Sequence, residues 1–241
     1  EVTRREVRAW LDTGPPDLDG RLATEVETWT EETLDWPASF LDRAEARACC
    51  ASRGLRLPTA GEWLRIASGP RVQPWPWGAT EIQSVANTLA LRLDRACPVG
   101  TFEQGRTPLG VYDLLGNVWE WVEEPLDAAA PSEASAWCMG GSFASRPRRL
   151  FEIGPDGRLV FHAQELDPGS RSTDVGLRAV AVARDWFRAH AAALGGGAKA
   201  RERLVRIGAR WGSEAAPALE RLAREPGAPE CVRHLLAGAR S

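Results

Sequence analysis

The chain has 241 residues, enough for one large domain or a domain with an appendage. Its 30 basic residues against 33 acids give a net charge of −3, which excludes a nucleic-acid binder working through bulk charge. Apolar residues make up 44%, too many for a disordered chain, and no apolar run reaches the ~18 residues of a membrane span.

At the front, Val7, Trp10 and Leu11 give a short amphipathic helix that ends at Gly14-Pro15-Pro16. Residues 17–35 then carry seven acids (Asp17, Asp19, Glu25, Glu27, Glu31, Glu32 and Asp35) against Arg21 alone. They read either as a solvated loop or as an acidic lip. A second helix is expected from Leu41 to Ser52, closed by Gly54. Thr59 and Glu62 have the spacing of a capping box and open a helix to about Ala67. Glycines at 100, 105, 110 and 116 punctuate loops and short strands. Pro155-Asp156-Gly157 between two short apolar runs predicts a hairpin over Leu150–Phe161.

The texture and charge change near residue 183. Residues 1–183 hold 19 arginines against 27 acids, a net of −8, whereas residues 184–241 carry +5. The tail reads as three or four helices, marked by Trp186/Phe187/His190/Leu194, by Leu204/Ile207/Trp211, by Ala216/Leu219/Leu222 behind a Ser213 cap, and by Val232/Leu235/Leu236. Gly195-Gly196-Gly197 stops the first of them. Pro226 and Pro229 separate the last two, which form either a HEAT-type pair or a packing appendage. The expected organisation is a domain over 1–183 and a helical extension over 184–241. The five cysteines (Cys49, Cys50, Cys97, Cys138, Cys231) are odd in number and lack framework spacing, so they read as reduced, buried thiols. A cytoplasmic location follows as an expectation.

Several segments, in this order, resemble one family, the formylglycine-generating or sulfatase-modifying-factor domains. They are Glu1-Val2-Thr3; Arg56-Leu57-Pro58-Thr59 with Glu62-Trp63; Trp75-Pro76-Trp77-Gly78; Ala86-Asn87-Thr88; and Pro98-Val99-Gly100. Gly110 through Trp121, containing Gly116-Asn117-Val118-Trp119-Glu120-Trp121, is the densest match, and Gly140-Gly141-Ser142-Phe143 and Val175-Gly176-Leu177-Arg178 complete it. The resemblance implies an α+β, C-type-lectin-like fold with a small twisted sheet, two helices and much ordered loop. It also implies strands upstream of Glu1, so the parent polypeptide is expected to extend before it.

Enzymes of the family hold copper(I) on two cysteines spaced Cys-x4-Cys after the Gly-Gly-Ser motif. Counted forward, those places fall on Ser145 and Leu150. Copper(I) needs thiolate or thioether ligands, so no copper is expected, and a pseudoenzyme is. His162, His190 and His234 are scattered without ligand spacing and read as structural or surface residues. The resemblance further implies calcium on the Asp113 and Glu120 side chains and the Gly116 and Val118 carbonyls, an oxygen set that calcium prefers. The competing reading is a tight turn with Glu120 paired to an arginine. A second set begins at Asn87, with Asp94 as its later carboxylate.

Arg146, Arg148 and Arg149 follow the Gly-Gly-Ser motif directly. Together with Ser145 they mark a groove that either faces the acidic lip and binds an acidic peptide or carboxylate, or pairs with local acids. Trp75, Trp77, Trp119, Trp121 and Trp137 read as core. The function expected is a non-catalytic, calcium-stabilised binding or scaffolding module of a larger bacterial regulatory or effector protein. Its partner is a protein or other domains of the parent chain, with no nucleic acid and no membrane. The alternative is an oxidoreductase of altered chemistry acting at Ser145, Arg146 and Arg148 with an imported cofactor.

Overall fold

In a computed structural model the described residues are 1–15, 20–124, 135–194, 197–211 and 215–240. Asp17, Asp19, Gly195, Gly196 and Ser213 lie outside them, as does the side chain of Trp211. The chain divides into two compact units, Glu1–Val180 and Ala181–Ser241.

Four α-helices open the first unit: α1 (Arg4–Leu11), α2 (Arg21–Glu27), α3 (Arg43–Ala51) and α4 (Ala60–Ser68). Three of them start the same way. Thr3, Asp42 and Thr59 accept from the amides of Glu6, Glu45 and Glu62, and each glutamate reaches back to the cap amide. Each box satisfies two orphan donors that the first helical turn would otherwise leave unpaired. The helix expected from Leu41 is α3, and it begins at Arg43, two residues later than the apolar spacing suggests, because Asp42 is its cap.

The central sheet has the order β5-β2-β1-β6, with β1 Trp119–Val122, β2 Ala136–Met139, β5 Ala163–Leu166 and β6 Val175–Leu177. β1 pairs antiparallel with β2 and parallel with β6. A separate hairpin joins β3 (Phe151–Ile153) to β4 (Leu159–Phe161), with the turn at Pro155-Asp156-Gly157. Alternation along β1 sorts its side chains between two cores. Trp121 is fully buried among Leu41, Cys49, Cys50 and Leu177, and its indole donates to the Leu41 carbonyl at 2.9 Å. Val122 joins Trp63, Leu64 and Met139 beneath α4 on the other side, and Glu120 points the same way as Val122.

The acidic segment packs onto α1. Asp35 pairs with Arg5 at 3.2 Å and Glu31 with Arg8 at 3.3 Å. Among the described residues none of these acids pairs with Arg146, Arg148 or Arg149.

The second unit contains α5 (Ala183–Leu194), α6 (Ala198–Trp211), α7 (Ala216–Arg224) and α8 (Glu230–Ala239) around Phe187, Leu204, Leu219, Val232 and Leu235. α6 and α8 cross at backbone contact. A Cβ on Gly208 would stand 1.9 Å from the Leu235 carbonyl, and one on Gly238 would stand 1.9 Å from that of Val205. Glycine usually weakens a helix interior, so these two positions trade propensity for proximity. No described helix is long and apolar enough to cross a membrane.

Candidate functional site

The Gly110–Trp121 segment folds around a buried ion pair. Glu120 is fully buried, and Arg178, arriving just after β6, donates to both of its oxygens: Nε to Oε2 at 2.8 Å and a terminal nitrogen to Oε1 at 2.7 Å. The Trp63 indole donates to Oε2 at 2.6 Å, and the same Arg178 nitrogen reaches the Tyr112 carbonyl at 2.8 Å. This satisfies most of what a buried carboxylate and a buried guanidinium require. Burial alone would draw the Arg178 pKa down, but the bidentate contact with Glu120 leaves it raised.

Asp113, in the left-handed backbone region at φ 56°, accepts from the Gly100 amide at 2.6 Å, and burial raises its pKa. Asn117, at φ 62°, accepts from Asn87 Nδ2 at 3.1 Å and the Cys97 amide at 3.0 Å, and its own amide donates to the Asn87 carbonyl at 2.7 Å. Gly116 has φ 81°, and a Cβ there would lie 2.2 Å from the Asn87 carbonyl oxygen. Three motifs that are far apart in sequence, at Asn87, Gly100 and Gly116-Asn117, thus meet in one knot of hydrogen bonds.

This geometry bears on the calcium expectation. Of Asp113, Gly116, Val118 and Glu120, the one fully buried carboxylate already faces a guanidinium, and a cation beside it would have to displace Arg178. As folded, the set does not offer the six to eight oxygens that calcium takes. At the second set, Asn87 Oδ1 is buried without a hydrogen-bond partner, as an unfilled ligand would be, but Asp94 is exposed and bonded to none of Asn87's atoms. Among the described residues no three His, Cys, Asp or Glu side chains converge to hold a metal ion.

A second site opens beside the Gly-Gly-Ser motif, where a cavity of about 290 Å³ brings together Ser145, Arg146, Arg148 and Arg149. Leu115, Trp119 and Leu150 form its apolar wall, and His162 completes it. Trp119 is half-buried, packing on the core that holds Trp121 while one side of it lines the cavity, and Trp75 and Trp121 are buried as expected. The three arginines are exposed, and none pairs with an acid among the described residues, so the expectation of local pairing fails there. No acidic residue lines the cavity, so nothing within its wall offsets the three positive charges.

Ser145 sits in a tight turn. Its Oγ accepts from the Ser142 amide at 3.0 Å and contacts Ser142 Oγ at 3.2 Å, and Ser142 Oγ donates to Asp174 at 2.8 Å. The Ser145 hydroxyl is thereby held in the turn, with no base beside it to activate it. Cys138 lies in the core with Trp121 and lines no part of the cavity, and burial raises its pKa well above the ordinary thiol value.

Sequence reasoning missed Arg178 as the partner of Glu120, Asp174 as the anchor behind Ser142, and His162 as a cavity residue. Arg178 was in view at the end of Val-Gly-Leu-Arg, and His162 directly follows the hairpin whose start, Leu150, lies in the same wall. Both signals become legible only once the strands are paired.

Comparison with known proteins gives a consistent picture. The family model described as sulfatase-modifying factor enzyme 1-like domain matches residues 1–183. Hercynine oxygenase of Mycobacterium tuberculosis is 34% identical over 112 residues, 44% of this chain and 26% of that protein. Inactive C-alpha-formylglycine-generating enzyme 2 of Bos taurus is 37% identical over 109 residues, 41% of this chain and 36% of that protein. The chain thus spans about a quarter to a third of the length of these two relatives. Among solved structures, PvdO from Pseudomonas aeruginosa superposes with a TM-score of 0.54 at 22% identity, covering 74% of this chain and 77% of that one, a likeness of fold.

Proposed function

The chain belongs to the family of sulfatase-modifying factor enzyme 1-like domains, and from that premise we propose that it is a non-catalytic binding module of the family. Its ligand is an anion held where the resemblance puts copper chemistry. One observation carries this: Arg146, Arg148 and Arg149 surround a cavity with an apolar wall and have no acid partner among the described residues. Guanidinium groups present paired donors that match a carboxylate. The hydroxyl held in the Ser145 turn and the buried side chain of Leu150 stand at the counted cysteine positions, and neither can ligate copper(I). The family includes relatives named inactive, which agrees with this reading. A protein partner, or another domain of a larger bacterial regulatory or effector protein, would supply the anion. On this reading the positive charge beside Glu120 is that of Arg178, paired with it at 2.7 Å.

The test is calorimetric titration of the full chain with oligoglutamate. Saturable binding should weaken at least about tenfold in Arg148→Glu, since a hydrogen bond to a charged group is worth about 1.5–3 kcal/mol. Binding that is indifferent to Arg146→Glu and Arg148→Glu would remove the proposal. The similarity to hercynine oxygenase favours a second reading, an oxidoreductase of altered chemistry. Oxygen consumption with a thiol substrate and added iron or copper, abolished in Ser145→Ala, would put that reading in its place.

A further inference from the structure

The cavity beside Gly-Gly-Ser is built at one end of the central sheet. Trp119 opens β1, Gly140 and Gly141 follow β2, and Ala163 opens β5, so three adjacent strands supply lining residues. The register Glu120↔Met139 and Met139↔Ala163 fixes these positions side by side. At the two glycines the lining is bare backbone. Leu115 and Leu150, both buried, complete the apolar wall. At about 290 Å³ the cavity lies at the lower end of the range for small-ligand sites, so it suits a single large side chain.

Its lining carries arginine charge and no acid. Glu152, on the hairpin, stands 3.5 Å from His162 Nε2 and lines no part of the cavity. A ligand that answers both the arginines and the wall has a carboxylate and an apolar body. Acidic side chains answer the arginines, but their short stems cover little of the wall. A free amino acid brings an ammonium into an arginine-lined space with no acid to receive it. Three guanidiniums also carry more N–H donors than one carboxylate can accept. A small apolar acid leaves the surplus donors to water. In a peptide, the backbone carbonyls just before a terminal carboxylate take them up.

We propose that the cavity captures the C-terminal residue of a partner peptide. The arginines hold its α-carboxylate, and its aromatic or large aliphatic side chain packs against Leu115, Trp119 and Leu150. This rests on the anion-binding reading above and names the chemistry of that anion.

The test is fluorescence anisotropy of the full chain with labelled pentapeptides that end in phenylalanine or glycine, each as the free acid or the amide. The phenylalanine acid should bind saturably, and oligoglutamate should displace it. Amidation should weaken it at least about tenfold, and so should the change from phenylalanine to glycine. Arg148→Glu should weaken both the phenylalanine acid and oligoglutamate. Arg148 is exposed, so that variant should keep the wild-type Tm, which confirms its fold. Equal binding of acid and amide would overturn capture of the terminal carboxylate. Equal binding of the phenylalanine and glycine acids would overturn the apolar subsite. In either case, oligoglutamate binding that Arg148→Glu weakens would leave the anion reading standing. If wild type binds neither the pentapeptides nor oligoglutamate, both readings fall. Phenylpropionate or free phenylalanine competing as strongly as the unlabelled pentapeptide would overturn the proposal in favour of a small acid.

Discussion

Glu120→Gln removes the negative charge from a fully buried carboxylate that accepts from three donors, two on Arg178 and one on Trp63. Glutamine keeps one acceptor oxygen, which can serve Trp63 and Arg178 Nε, since both bond to Oε2. Its amide nitrogen then faces the Arg178 terminal nitrogen, donor against donor. Losing that charge-assisted bond costs about 1.5–3 kcal/mol, and stranding one member of a buried pair typically costs about 3–5 kcal/mol. Asp113 and Glu1 lie within electrostatic reach of Arg178, but burial raises both of their pKa values, so they compensate in part only. The expected loss is therefore near the low end, about 3 kcal/mol. Urea unfolding followed by tryptophan fluorescence measures it in the presence of either calcium or EDTA, and the loss should be the same in both. Suppose instead that EDTA strips several kcal/mol from the wild type and nothing from Glu120→Gln. Calcium, not Arg178, would then neutralise Glu120 in solution, and the ion-pair reasoning would be refuted. A loss below about 1 kcal/mol would refute it differently, by showing that the pair is not desolvated.

Two further outcomes are expected. Gly208→Ala places a Cβ 1.9 Å from the Leu235 carbonyl, which only backbone movement can relieve, so calorimetry should show the second unit losing at least about 2 kcal/mol despite the gain in helix propensity. A wild-type Tm would mean that α6 and α8 do not cross as closely as described. Burial pushes the thiols of Cys49 and Cys50 up to about 11 and about 12, so both should resist alkylation in the native protein at mildly alkaline pH and react after denaturation. The sign of the accompanying pH effect is fixed. Above an unfolded thiol pKa near 8.5 the unfolded chain binds fewer protons than the folded one, so stability falls as pH rises through that value toward the folded pKa values. Rapid native labelling of either cysteine, or stability flat across that range, would contradict their burial.

The local grammar of this chain was readable from its sequence. Thr59 and Glu62 form their capping box, Pro155-Asp156-Gly157 makes its hairpin, and the tail helices stand where Phe187, Leu204, Leu219 and Leu235 are spaced for them. Each of these depends on residues within a few positions of one another. The family, too, was legible, because Gly116 through Trp121 is an unbroken run. Partnership was not. Glu120 was in view as a carboxylate, but whether it met a cation, an arginine or water depended on Arg178, 58 residues away and brought alongside by the parallel pairing of β1 with β6. The acids of residues 17–35 were read as a solvated loop or a lip, and among the described ones Glu31 and Asp35 pair with Arg8 and Arg5 of α1. The arginines after Gly-Gly-Ser were in view, but their freedom from acid partners among the described residues, and the Trp119, Leu150 and His162 wall they share, belong to the folded chain. Sequence alone determines which groups are present and how they bend the backbone near them. Burial and charge pairing are properties of three-dimensional neighbourhoods, and only the tertiary structure assigns those.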